Sequence, residues 1–284
     1  MRVTFWGTRG SLAAAGPETT KYGGNTSCVQ VTARDGTELV IDAGTGVRAL
    51  GRALPDGLGR VDLLLSHLHM DHLQGLGFFA PLYVPSMEVH LWGPASATAS
   101  LRERLMRYLS PPLFPVHLRD LPCRLHLHEV PCPRFTVGPF AVQTATICHP
   151  GPTVGFRIET AEGSVAYLSD HEPALGVRPF PDEPQWTSGH ALASGVDVLI
   201  HDGQYTRDEY PSHVGWGHSS TDHAVRFAEH VGARRLLLFH HDPSRSDAEL
   251  DRLLDDTRER LAPALPVQAA AEGATIEIGG RNVA

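Results

Sequence analysis

Apolar residues along this 284-residue chain fall in short runs broken by glycine, proline and polar turns. Such runs predict strands, whereas apolar positions recurring every three or four residues predict helices. In the first half, strands are predicted at 2–6, 28–33, 38–42 and 61–66. A helix is predicted near 46–54, opened by Asp42-Ala-Gly-Thr-Gly46, whose glycines let backbone pass close to a neighbour. A short helix is predicted over 72–79. In the second half, strands are predicted near 135–146, 153–160, 164–169, 196–201 and 234–240, with a last one near 274–278. Helices are predicted at 221–231 and 246–261, the second begun by Ser246 with Glu249 three residues on, a capping box. The pattern is an α/β alternation split into two similar halves, read as one domain over 1–284.

Two stretches depart from this rhythm. Residues 94–134 hold an amphipathic helix near 97–109 and then Ser110-Pro-Pro-Leu-Phe-Pro115, which reads as a helical, proline-rich insertion packed near the site or in a dimer contact, or equally as an ordinary helical connection. The loop 171–190 carries four prolines and Trp186 and is expected to border a pocket.

Composition narrows the class. Hydrophobic residues are 42% and charged residues 20%, the balance of a water-soluble globular domain. No stretch approaches the about 20 apolar residues of a membrane helix. The start, Met1-Arg-Val-Thr-Phe-Trp6, goes directly into a strand rather than a signal peptide, so the expectation is a cytoplasmic protein. Cys28, Cys123, Cys132 and Cys148 form no Cys-x-x-Cys pair and read as free thiols. A net charge of −8 argues against binding long nucleic acid, which rests on Lys and Arg meeting phosphates.

The chemistry concentrates at His67-Leu-His69-Met-Asp71-His72, directly after the apolar run ending at Leu65. With 17 His in the chain, some clustering is expected, and a surface His-rich loop would also attract metal. Three further polar residues stand where apolar strands end: His149, Asp170 and His240. Strand ends are where α/β folds place their chemistry. Imidazole and carboxylate together suit Zn²⁺, with Mn²⁺ or Fe as other options. Two adjacent ions can activate one water and clamp the oxygens of a displaced group. Cys148 adjoins His149, but neighbours on a strand face opposite ways, so it reads as structural.

This pattern resembles the metallo-β-lactamase-fold hydrolase superfamily over nearly the whole chain. The resemblance implies an αββα sandwich with the site at one edge of its two sheets. It implies that His67, His69 and His149 hold a first divalent ion, that Asp71, His72 and His240 hold a second, and that Asp170 bridges them. An Asp at the bridging position differs from the Cys used by zinc β-lactamases.

Two further segments resemble the phosphodiesterase branch of that superfamily, which includes tRNA 3′-processing endonucleases and cyclic phosphodiesterases. The strand near 196–201 ends in His201-Asp202, and Gly215-Trp-Gly-His218-Ser-Ser-Thr221 opens a helix. In the tRNA-processing enzymes a strand-end Glu pairs with a His of this kind, and here Asp202 takes the place of the Glu. The implied catalytic groups are Asp71, Asp202 and His218, with a metal-bridging hydroxide as nucleophile and His218 donating a proton or hydrogen bond. Helix capping by the Ser219-Ser220 pair is compatible with that role. Asn25, Arg9 and Ser244 are weaker substrate-binding candidates, each also readable as a turn residue, and His241 is expected to point away from the metals.

Only twenty residues separate His149 from Asp170, too few for the protruding RNA-binding arm of the tRNA-processing enzymes. The expected substrate is therefore a small phosphodiester, foremost a cyclic nucleotide or other cyclic phosphate. A metal-dependent lactone or ester hydrolase is the alternative, but it leaves Asp202 and His218 without a task. A non-catalytic metal-binding sensor is the second alternative, and it predicts missing ligands where all seven are present. The resemblance also implies a homodimer.

Overall fold

A computed structural model describes residues 1–130, 134–177 and 180–279. The first half of the chain supplies β1 (Arg2–Gly7), β2 (Cys28–Thr32), β3 (Glu38–Ile41), β4 (Arg60–Leu64), β5 (Glu88–Pro94) and β6 (Arg124–Val130). The second half supplies β7 (Phe135–Val137), β8 (Phe140–Thr146), β9 (Val154–Thr160), β10 (Gly163–Leu168), β11 (Val198–Asp202), β12 (Leu236–Phe239) and β13 (Val267–Ala269). β14 (Thr275–Glu277) returns to the first sheet and pairs with β1. The two seven-stranded sheets run β14-β1-β2-β3-β4-β5-β6 and β13-β12-β11-β10-β9-β8-β7. Each begins with antiparallel hairpins and continues in parallel strands joined by crossovers, so the halves repeat one plan.

The sheets face each other across one apolar layer. Val3, Phe5, Val29, Val31, Leu39 and Ile41 of the first meet Phe140, Val142, Phe156, Ile158, Tyr167 and Ile200 of the second. The outer face of the first sheet is covered by α1 (Val47–Ala53), α2 (Met70–Leu73) and α3 (Leu101–Tyr108). That of the second is covered by α4 (His190–Ala193), α5 (Thr221–His230) and α6 (Asp247–Leu261). This is an αββα sandwich, each sheet buried on both faces as parallel strands require.

Several sequence readings shift. The single strand expected near 135–146 is a hairpin, β7 and β8, turned at Gly138 with φ +51°. The helix expected over 72–79 is the one-turn α2 followed by a 3₁₀ turn at Leu76–Phe78. Part of 94–134 is integral to the sheet rather than inserted: β6 pairs with β5 in parallel, and α3 lies in the connection between them. Cross-strand pairing holds β6 in place, and its half-exposed Leu125 and Leu127 give a weak apolar signal. β5 and β13 also lie outside the predicted strands. Cys28 and Cys148 are free thiols, as is Cys123, while Cys132 falls outside the described residues. Among the described residues no helix is long and apolar enough to cross a membrane.

Candidate metal centre

The site gathers at the carboxyl ends of strands from both sheets. The turn after β4 brings His67 and His69, and α2 adds Asp71 and His72. His149 lies beyond β8, Asp170 beyond β10 and His240 beyond β12. Their donor atoms fall into two groups, His67, His69 and His149, and Asp71, His72, Asp170 and His240. Asp170 touches both: its Oδ2 is 3.6 Å from His67 Nε2 and 3.3 Å from His240 Nε2, and its Oδ1 is 3.0 Å from His72 Nε2. Asp71 Oδ2 lies 3.0 Å from His240 Nε2.

Outer partners fix which ring nitrogen faces inward. His72 Nδ1 donates to Asp42 Oδ2 at 2.7 Å, His149 Nδ1 to the Gly217 carbonyl at 3.0 Å, and His240 Nδ1 to Gln204 Oε1 at 2.9 Å. His67 Nδ1 lies 3.1 Å from Ser66 Oγ, whose hydroxyl donates to Asp42. With Nδ1 carrying the proton, each Nε2 presents its lone pair to the centre, the arrangement that pins histidine ligands. Asp42 also accepts from Tyr167 and from the Ser66 amide, and Asp71 accepts from the Ser11 amide at 2.8 Å. Asp42 and His240 both hold φ +59°, a left-handed conformation costly for a side-chain-bearing residue and typical of functional sites.

The electrostatics call for cations. Burial holds His67, His69 and His149 below the usual imidazole pKa. Burial would lower His72 as well, but Asp170, Asp71 and Asp42 outweigh it and raise its pKa. Against the cost of burial, the histidines hold Asp170 and Asp71 well below the carboxylate range. A field that draws a proton to His72 draws a metal ion equally. His67 Nε2 is buried without a hydrogen-bond partner, which suits a nitrogen that would hold a metal ion. Mixed imidazole and carboxylate donors fit divalent zinc-type ions.

Beside this cluster, His218 Nδ1 donates to Asp202 Oδ2 at 2.7 Å, and its ring stacks on His240 at 4.9 Å. Asp202 ends β11, and its Oδ1 accepts from the Gln204 and Ser219 amides, both at 3.0 Å. Burial lowers the His218 pKa, but Asp202 outweighs it and lifts the value to about 9. Ser220 caps α5, accepting from the His223 amide, and leaves His218 free of that task.

The weaker candidates are engaged elsewhere. The Asn25 amide is spent on Glu272 and Thr45. Ser244 bonds Asp242 within its own turn. Arg9 is fully buried and donates to the carbonyls of Gly23, Asp242 and Arg245. His241 Nε2 donates to the Ala270 carbonyl, away from the cluster.

Sequence reading missed the support for these groups. Asp42 had a visible signal, a carboxylate at a strand exit. Glu172 had none. It is fully buried, and its carboxylate accepts from Tyr210 Oη at 2.6 Å, from the Gly215 amide at 3.0 Å and from the Gly217 amide at 3.0 Å. It thereby fixes the loop that carries His218 and the carbonyl orienting His149. Gly217 has φ +87°, and a Cβ there would meet His149 Nδ1 at 2.2 Å; one on Gly10 would meet His240 Nδ1 at the same distance.

The chain belongs to the β-lactamase superfamily, whose domain model matches residues 37–241, and its site is that of a metal-dependent hydrolase. Among curated relatives, Ribonuclease Z of Myxococcus xanthus is 28% identical over 319 aligned residues, covering 99% of each chain. Ribonuclease Z of Haloarcula marismortui is 24% identical, covering 91% of each. In structure, the chain resembles the metallo-β-lactamase fold protein YhfI from Bacillus subtilis, with TM-score 0.70, 21% identity and coverage of 97% and 99%. It also resembles the short form of human tRNase Z, with TM-score 0.68, 22% identity and coverage of 99% and 100%. A diphosphatase of the PhnP family gives TM-score 0.67, 21% identity and coverage of 98% and 97%.

Proposed function

We propose that this protein is a phosphodiesterase using two divalent metal ions, zinc foremost, to hydrolyse a small phosphodiester such as a cyclic nucleotide or other cyclic phosphate. The observation that carries this reading is the Asp202–His218 pair set against the seven-donor cluster. His67, His69 and His149 would hold one ion, Asp71, His72 and His240 the other, with Asp170 between. When bound, such ions activate water and neutralise charge on phosphoryl oxygens.

The chain's own residues supply the rest. His218, charged through its pairing with Asp202, donates to the departing oxygen and offsets charge gathering on the phosphoryl group. Asp202, anchored by two backbone amides, positions that imidazole and sets its proton affinity.

The hairpin β9–β10 fills most of the span between His149 and Asp170 and turns at residues 161–162, which leaves little chain there for an RNA-binding arm and favours a small substrate. The relatives named Ribonuclease Z make RNA the rival substrate. A homodimer in the cytoplasm completes the proposal, and sedimentation velocity tests the assembly.

The experiment compares bis(p-nitrophenyl) phosphate with its less activated phenyl analogue, a lactone panel and a precursor tRNA, with Zn²⁺ or Mn²⁺ added. Wild type is expected to cleave the diesters in a metal-dependent way. His218→Ala should retain both metals and lose about 10²-fold or more, the loss being greater for the phenyl ester. Full activity in His218→Ala removes the proton-donor role. Lactone turnover without diester turnover replaces the phosphodiesterase reading, and tRNA cleavage without small-diester turnover replaces the substrate class.

A further inference from the structure

A cavity of about 310 Å³ opens beside the metal centre and shares His67 and His69 with it. Its wall is apolar: Leu68, Met70, Leu73, Leu113, Pro150 and Pro152. Two arginines break that lining, Arg104 and Arg107, one helical turn apart on α3. Arg104 is mostly buried, tied to the Pro94 carbonyl with Glu129 3.7 Å away, and its Nε has no hydrogen-bond partner. Arg107 is exposed and makes no ion pair among the described residues. The wall is fixed to the metal-binding turn. Tyr108 donates to the Gln74 carbonyl, and Phe114 packs so closely over Gly77 that a Cβ there would meet its ring at 2.4 Å.

We infer that this cavity seats one ester group of the substrate, an organic group of nucleoside size that lays an apolar face on the wall and carries a second anionic group held by Arg107. The inference rests on the phosphodiesterase reading for the position of the scissile phosphate. A purely apolar group leaves the Arg107 guanidinium unanswered, and a bare sugar phosphate leaves the hydrophobic wall unused. An anion-bearing group with an apolar body satisfies both. Arg107 is thus the specificity determinant, and Leu113, exposed at the rim, is the apolar contact nearest solvent.

The test uses two chromogenic diesters, the p-nitrophenyl ester of thymidine 5′-monophosphate and the same compound phosphorylated at its 3′-hydroxyl. Wild type is expected to favour the phosphorylated ester about tenfold or more in kcat/KM, since a hydrogen bond to a charged group is worth about that much. Arg107→Gln should remove most of this preference, and Arg107→Glu should reverse it. A preference equal in wild type and Arg107→Gln overturns the inference. Calorimetry with thymidine 3′,5′-bisphosphate on metal-loaded protein separates the two readings. Binding about tenfold weaker in Arg107→Gln, in an enzyme that turns over neither diester, keeps the subsite and removes the phosphodiesterase reading. Equal binding in the two proteins removes the subsite.

Discussion

His218 and Asp202 show how much one contact decides. The imidazole is largely enclosed, and enclosure alone would strip its proton. A carboxylate 2.7 Å away reverses the outcome. In the proposed role His218 works only while protonated, so activity should be lost as pH rises through its pKa. Because Asp202 raises that value, wild type should hold activity to higher pH. In Asp202→Asn the alkaline limb of kcat/KM should move to lower pH by about one unit or more, read from a pH profile on bis(phenyl) phosphate. A limb that stays in place belongs to another group. The pair was half legible: a polar residue ending an apolar strand and a His ahead of a helix are visible in one dimension, whereas the 2.7 Å contact comes from the fold. Glu172 was not legible at all, since a Glu in a proline-rich loop gives no sign that its partners are two glycine amides and Tyr210 Oη, far along the chain.

At the scale of elements, that carboxylate is the anchor of the segment from Tyr210 to His218. The Glu172 amide in turn donates to the Cys148 carbonyl, joining the loop to the exit of β8. Glu172→Gln exchanges an acceptor for a donor opposite the backbone amides. Urea unfolding should show a loss of about 1–3 kcal/mol, and kcat/KM should fall about tenfold with metal content unchanged. Turnover at the wild-type level would detach this loop from the chemistry. Strands with β-branched or leucine-rich runs, such as β3, β4 and β11, were readable because burial on both faces forces a continuous apolar sequence. The edge strand β6 was not, because Arg124-Leu-His-Leu-His-Glu-Val130 is buried fully only at its last residue. The capping boxes differ in the same instructive way. Ser246–Glu249 was seen, and its counterpart Ser100–Glu103 places the true start of α3 a turn later than the amphipathic pattern suggested.

Across the whole molecule, the donors divide between the two sheets: His67, His69, Asp71 and His72 from the first, His149, Asp170 and His240 from the second. Bound ions therefore favour the folded state over any form in which the sheets part. Metal at about a hundred times its dissociation constant adds about 2.7 kcal/mol of stability. For a chain of this size that corresponds to a melting temperature roughly 4–5 °C above that of chelator-treated protein, measured by calorimetry. An unchanged melting temperature would mean that the donors do not share ions across the sheets. The path of the chain adds a second bond between the halves, because β14 leaves the second half to complete the first sheet beside β1. Neither half is thus a transferable module. A fragment ending at β6 would carry the His-rich turn yet lack both the remaining donors and its own edge strand. This interlock ties the two copies of one plan together, and exchanging one half with a relative would require exchanging the returning strand with it.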